Sequence, residues 1–329
     1  MIEGRCQQAG MTSPIVAEAQ LLFQSGRGQQ ALELLGKAGG AGNADALEFL
    51  ASICVAGRLV NRDLALARDL FRKAAEAGSA AGAAAYRAFV ANGTGGPPDW
   101  GKAVRLLEDA AAGNARVRRE LDLISAMGLS PEGNPPSDYA YEDLCASPKV
   151  TLFPALLSEA ECDYMIDAST AVFEPSRVVD PQTGQLVPNP VRTSDAAAFP
   201  LVMESPAVHA LNKRLAAASG TKVAQGEPLQ ILRYRPGQEY RPHFDAIAGA
   251  ENQRILTFLV YLNDDYEGGE TCFLTPGLEV KGRKGDGLLF RNADDKGRAD
   301  ANSQHAGLPV IAGEKLLASR WIRERPLVV

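Results

Sequence analysis

Leu232-Arg-Tyr-Arg-Pro-Gly-Gln-Glu-Tyr-Arg-Pro-His243-Phe-Asp245 is the stretch whose reading decides the fold of the second half of the chain. The residues up to Tyr234 predict a strand, and Pro236-Gly237 predicts a turn. The residues after it predict a second strand that carries His243 and Asp245. Side chains two apart on a strand share a face, so an imidazole and a carboxylate are expected side by side, as two ligands of one metal must be. A lone His-x-Asp pair is weak evidence, because a hydrogen-bonded core histidine beside a turn aspartate gives the same pattern.

Outward from this stretch, the segment from Asp300 to Lys315 adds weight. It supplies a second histidine, His305, and ten residues later a lysine, Lys315. The chain has three histidines in all, and two lie in these segments. Two histidines and one carboxylate, with coordination positions left open, form the facial triad of non-haem Fe(II) oxygenases. The third histidine, His209 in Ala207-Val-His-Ala-Leu211, has no such neighbours and is expected on a helix surface.

Further residues fall in order around these: Tyr234, Pro236-Gly237-Gln238, Tyr240, Arg254-x-x-Thr257, Tyr261-Leu-Asn263, Gly268-Gly-Glu-Thr271, Ser303-x-His305-Ala-Gly307, Pro309-Val310, Gly313-x-Lys315 and Trp321. Together they resemble the catalytic domain of the 2-oxoglutarate/Fe(II)-dependent prolyl 4-hydroxylases, over about Lys149 to Leu327. The resemblance implies Fe(II) bound by His243, Asp245 and His305, with 2-oxoglutarate and O2 as co-substrates and ascorbate as a reductant. It implies that Lys315 pairs with the distal carboxylate of 2-oxoglutarate, and that Tyr234 and Thr271 donate hydrogen bonds to the same co-substrate. It places Tyr240, Arg254 and Trp321 toward a peptidyl proline. The chain departs from the pattern in two places. Ala246-Ile247 follows Asp245 where many relatives carry an aromatic, and residues 174–189 do not match the mobile hairpin that covers substrate in relatives.

Ahead of this region, residues 14–128 are rich in Ala and Leu and repeat every 36 residues: Ala31, Ala67 and Ala103; Leu34, Leu70 and Leu106; Ala38, Ala74 and Ala110. Gly57 and Gly93, and Asp63 and Asp99, keep the same interval. Such a period marks helix-pair repeats, each burying its apolar face against the next. Leu66, Leu70, Phe71 and Ala74 make a helical stripe that Gly78 ends. Gly57 to Asn61 and Gly93 to Pro98 are expected as turns between helices. The pattern Asp63-x-Ala-x-Ala-x-x-Leu-Phe-x-Lys-Ala-Ala-Glu-Ala-Gly resembles Sel1-like repeats, relatives of the tetratricopeptide class. The Pro/Gly/Ser-rich run within 129–148 reads as a linker, and 149–329 as the oxygenase domain.

Within that domain a strand is expected near Lys149 to Phe153, and Ser158 to Glu161 form a capping box that opens a helix. A hairpin tip is expected at Gly184, and a helix between Pro206 and Gly220. Ile255 to Leu262 is apolar on both faces, so both are expected to be covered. The class is therefore α+β, an α-solenoid of helical repeats followed by a double-stranded β-helix, or jelly roll, with flanking helices.

Composition sets the remaining limits. A net charge of −6 gives no reason to expect nucleic acid. Five cysteines, odd in number and without Cys-x-x-Cys spacing, fit a reducing compartment, and a cytoplasmic setting is expected. No stretch is apolar for long enough to span a membrane. Met1 to Arg5 reads as a protease-site remnant, with the natural start near Met11. The expected function is hydroxylation of a protein or peptide substrate, at proline by the resemblance. The alternatives are a hydroxylase of another side chain or of a free amino acid, and a repeat-based adaptor whose oxygenase domain is degenerate.

Overall fold

The repeat period becomes visible as equivalent helix caps. In the computed structural model, which describes residues 13–179, 186–189, 191–294 and 296–327, six helices open the chain. They are α1 (Pro14–Gln24), α2 (Gly28–Gly40), α3 (Ala44–Ala56), α4 (Leu64–Glu76), α5 (Ala80–Asn92) and α6 (Trp100–Ala111). Asp63 and Asp99, one period apart, each accept a backbone N–H from three residues ahead and so start α4 and α6. Such a cap is worth about 1 kcal/mol. Gly57 and Gly93, again one period apart, close α3 and α5 at φ 64° and 79°, where a Cβ is disfavoured. The expected inter-helix turns fall there. Ala31, Ala67 and Ala103 have no exposed surface, so the repeated alanine lies inside the helix packing. Phe71 and Ala74 are buried as the stripe predicted, but Leu66 is 46% exposed. It sits in the first turn of α4, to one side of the packed face.

By their contacts the described residues up to Ala115, with Leu201–His209, form one compact unit, and Arg116–Pro200 with Ala210 onward form a second. His209 corrects the sequence reading. It is 8% exposed, and its Nδ1 lies 2.9 Å from Glu204 Oε1. A carboxylate just ahead of the helix gives the imidazole a buried partner, which the apolar neighbours at 207–211 did not reveal.

Helix α7 (Ala115–Ala126) is followed by strands β1 (Glu142–Ala146) and β2 (Lys149–Phe153), then by α8 (Glu159–Thr170). Strand β1 lies inside the stretch read as a linker. Helix α8 opens with the expected capping box: Ser158 accepts from the Glu161 backbone, and Glu161 accepts from the Ser158 backbone. Glu161 also receives Arg214 Nη1 at 2.6 Å, so its charge is paired although buried. Short strands β3 (Glu174–Pro175), β4 (Arg177–Val179), β5 (Leu186–Pro188) and β6 (Asp195–Phe199) come next, then helix α9 (Pro206–Ser219). Strands β4 and β5 pair as a hairpin; its tip, expected at Gly184, lies outside the described residues.

The remaining strands build the barrel. They are β7 (Leu229–Tyr234), β8 (Tyr240–His243), β9 (Arg254–Tyr261), β10 (Glu267–Gly268), β11 (Thr271–Phe273), β12 (Leu278–Val280), β13 (Gly287–Arg291), β14 (His305–Gly307), β15 (Val310–Ala312) and β16 (Lys315–Arg323). A major sheet runs in the order β1-β2-β13-β9-β16-β7-β6-β3, and a minor sheet in the order β12-β11-β14-β8. Their shared core takes Val150, Leu259, Tyr261, Leu288, Phe290 and Leu317 from the major sheet and Phe273 and Val280 from the minor one. Two antiparallel sheets closing on one core are a jelly roll. Strand β9 is central in the major sheet and is buried from Thr257 onward, with Ile255 and Leu256 half-buried at its start.

Candidate active site

Strand register alone brings the chemistry together. On the minor sheet His243 of β8 lies directly opposite His305 of β14. Directly paired residues stand about 4.5–5.5 Å apart at Cβ, and the two imidazole centroids are 4.3 Å apart. On the major sheet Tyr234 of β7 lies directly opposite Lys315 of β16. Odd-numbered residues of β16 share a face, and Lys315, Leu317, Ser319 and Trp321 line one cavity with His243, Asp245 and His305. The minor sheet thus offers nitrogen ligands to a space that the major sheet furnishes with a cation and hydroxyls.

Asp245 departs from the expectation of a shared strand face. Strand β8 ends at His243, and Asp245 follows in a bend. The bend still carries the carboxylate inward, where it is 4% exposed. Its Oδ1 is 3.5 Å from His243 Nε2 and its Oδ2 is 3.6 Å from His305 Nε2. One ligand atom from each of His243, Asp245 and His305 lies within 4.8 Å of the others. Both histidines have their tautomer fixed from behind: His243 Nδ1 donates to the Arg241 carbonyl at 2.8 Å, and His305 Nδ1 to the Ser303 carbonyl at 2.9 Å. Their Nε2 lone pairs therefore face the shared space. His243 Nε2 is buried with no hydrogen-bond partner, and a buried orphan of this kind suits a cation. Burial pushes the Asp245 carboxyl up, but the adjacent imidazoles of His243 and His305 and the Thr257 hydroxyl outweigh it and hold the acid well below the usual range. The group present is thus a carboxylate, with the donor set of a 2-His-1-carboxylate centre.

Lys315 is 2% exposed and donates to the Gly269 carbonyl at 2.6 Å. Burial lowers its pKa to about 8. Its ammonium lies 5.7 Å from the Tyr234 ring centroid and 5.6 Å from that of Tyr261. Tyr234 and Thr271 line the same cavity, and Thr271 Oγ1 is 3.1 Å from the Tyr261 hydroxyl. A buried cation ringed by hydroxyls fits one end of a small dicarboxylate.

The residues expected to face substrate divide. Tyr240 lines the cavity and stacks on His243, with ring centroids 3.4 Å apart and 13° between planes. Trp321 also lines it, and its Nε1 is buried without a partner. Arg254 stacks on Trp321 at 3.8 Å, but its Nε–Nη2 edge is held by both carboxylate oxygens of Glu227, at 2.7 and 2.9 Å. It braces the cavity wall and is not among the residues lining the cavity. Glu227 and Asn292 escaped the sequence reading. Glu227 offered only an acid ahead of a strand, and Asn292 only a polar residue at a strand end. A larger hollow of about 450 Å³ lies elsewhere, over Ile255, Leu256 and Leu289, and shares no residue with this cavity.

Fold and site together define a 2-oxoglutarate- and Fe(II)-dependent oxygenase, and the model of the 2OG-Fe(II) oxygenase superfamily matches residues 229–323. The chain is 37% identical over 198 residues to prolyl 4-hydroxylase 1 of Arabidopsis thaliana, covering 54% of this chain and 70% of that protein. It belongs to the prolyl 4-hydroxylase family and is an Fe(II)- and 2-oxoglutarate-dependent dioxygenase. Among solved structures it is similar to the viral collagen prolyl hydroxylase of Paramecium Bursaria Chlorella virus-1, at 30% identity and a TM-score of 0.44. That match covers 55% of this chain and 98% of the viral one. A Sel1 repeat protein of Oxalobacter formigenes matches at 27% identity and a TM-score of 0.29, over 33% of this chain and 88% of its own.

Proposed function

We propose that this protein hydroxylates proline in a polypeptide, with His243, Asp245 and His305 holding the iron and Lys315, Tyr234 and Thr271 holding 2-oxoglutarate. One observation carries the assignment of residues. The orphaned His243 Nε2 and its two partner ligands share a buried cavity with an equally buried lysine, an arrangement that a cation and an anionic co-substrate would complete. Bound iron supplies the O2 chemistry, in which 2-oxoglutarate and one oxygen atom give succinate and CO2 while the other oxygen enters a substrate C–H bond.

The chain's own residues do the rest. Lys315 fixes the distal carboxylate by a charge-assisted bond, with Tyr234 and Thr271 hydroxyls beside it. The backbone carbonyls behind His243 and His305 hold both rings in the ligating tautomer. Tyr240 and Trp321 offer flat apolar faces that a pyrrolidine ring can lie against. Arg254 and Glu227 keep Trp321 in place.

The relatives named prolyl 4-hydroxylases favour a proline in a protein or peptide over a free amino acid. The intact donor set speaks against a degenerate adaptor. We further propose that the helical repeats (14–128) bind the polypeptide partner, because stacked helix pairs present extended binding surfaces. The test is succinate formation from 2-oxoglutarate with Fe(II) and proline-containing peptides. His305→Ala is expected to fold and to lose turnover; wild-type turnover in that variant would refute the ligand assignment.

A further inference from the structure

Behind the carboxylate of Asp245 runs a buried chain of hydrogen bonds. Thr257 Oγ1 donates to Asp245 Oδ2 at 2.6 Å, and Asn292 Nδ2 donates to Thr257 Oγ1 at 2.8 Å. Thr257 is 1% exposed and Asn292 0%. Its direction is forced. An ionised carboxylate only accepts, so the single Thr257 proton must point at Asp245. The hydroxyl is then left with lone pairs only, and Asn292 must turn its NH2 toward it. Asn292 Oδ1 is left buried without a partner, an unsatisfied acceptor that calls for an explanation. The backbone of Asn292 reaches the other side of the site. Its carbonyl accepts from the Asp300 N–H at 2.9 Å and lies 3.4 Å from Ser303 Oγ, and the Ser303 carbonyl holds His305.

We propose that Thr257 and Asn292 are positioning residues for the metal, acting in series to fix the Asp245 carboxylate so that it meets the cation with one chosen oxygen. Strand β9 supplies Thr257 and the residue after β13 supplies Asn292. Two adjacent strands of the major sheet thus reach beneath a ligand set that hangs from the minor sheet and its following bend. The hydrogen bond at Oδ2 restrains the carboxylate's rotation, so Asp245, which follows β8 outside the strand ladder, gains the fixed orientation that strand pairing gives the two histidines. This inference rests on the metal reading proposed above.

The experiment is a titration of the full-length protein with Co(II) alone, followed by its visible absorption, for wild type, Thr257→Val, Asn292→Ala and the double variant. Outer-shell partners of metal ligands are worth about 10–100-fold in affinity, so each single variant is expected to bind Co(II) at least tenfold more weakly with a changed band shape. Because the two act in series, the double variant should bind no more weakly than Thr257→Val by itself. Thr257→Ser, which keeps the hydroxyl, should restore wild-type affinity and spectrum. If Thr257→Val does not fold, Ser against Ala at 257 makes the same comparison. Variants that bind Co(II) as wild type does, or losses that multiply in the double variant, would overturn the relay. Absence of Co(II) binding by the wild-type protein would instead overturn the metal site itself.

Discussion

Lys315 shows how one residue sets conditions for the whole reaction. A lysine at 2% exposure holds its proton less firmly, and burial brings its pKa to about 8 from 10.5. The charged form is needed to bind the distal carboxylate, so kcat/KM for 2-oxoglutarate should fall as pH rises through about 8, since this ratio reports the free enzyme. The stability effect has the opposite sign. The folded pKa lies below the unfolded value, so the unfolded chain binds the extra proton between the two, and stability should rise across that window. A pH profile that stays flat to pH 10 would contradict the lowered pKa of Lys315. Lys315→Ala should raise the KM for 2-oxoglutarate by tenfold or more, since a charge-assisted bond is worth about 1.5–3 kcal/mol, while Co(II) affinity changes little. At this scale the sequence was informative where residue type and order carry the chemistry, as for His243, Asp245, His305 and Lys315. It was silent where a role depends on what lies opposite. Nothing in the sequence near Arg254 says that Glu227 takes one edge of its guanidinium, and the apolar neighbours of His209 on its helix do not reveal its pairing with Glu204.

Elements place these residues through register. His243 faces His305 and Tyr234 faces Lys315 because β8 pairs with β14 and β7 with β16. Pairings between strands this far apart in sequence leave no local trace. The glycines around the barrel are equally determined by what they approach. A Cβ on Gly282 would sit 2.2 Å from the ring of Tyr261. That ring has no exposed surface, and its hydroxyl is engaged with Thr271 Oγ1 and the Val280 carbonyl at 3.1 and 3.2 Å. The ring cannot yield without disturbing a wall of the cavity. Gly282→Ala should therefore cost about 1–3 kcal/mol, measured by denaturant unfolding, and should weaken 2-oxoglutarate binding through Thr271. Unchanged stability would mean that the Tyr261 ring has room to move. The aromatic ring behind Gly282 is a tertiary fact that its sequence neighbours do not show.

In the molecule as a whole, a period of 36 residues became a series of capped helices with a buried alanine at the equivalent position of each repeat. That part was legible because a repeat writes the same contacts several times. The start of the barrel was less so: β1 lies within a Pro/Gly-rich stretch whose composition reads as a linker. Recruitment by the repeats can be tested by removing residues 1–113, so that the cut falls ahead of α7. Turnover of a short proline peptide should persist while turnover of an intact protein target falls, and equal retention of both would leave the repeats without a role in substrate capture. The central claim is coupled oxidation at the cavity shared by His243, Asp245, His305 and Lys315. Its most direct test uses isotopically heavy O2 with Fe(II), 2-oxoglutarate and a proline-containing peptide, read by mass spectrometry. The expected result is one heavy oxygen atom in the peptide, localised to proline, and one in succinate, with both signals lost in His305→Ala. An unlabelled peptide beside labelled succinate, for every proline sequence offered, would contradict prolyl hydroxylation. Absence of label from both would contradict the site.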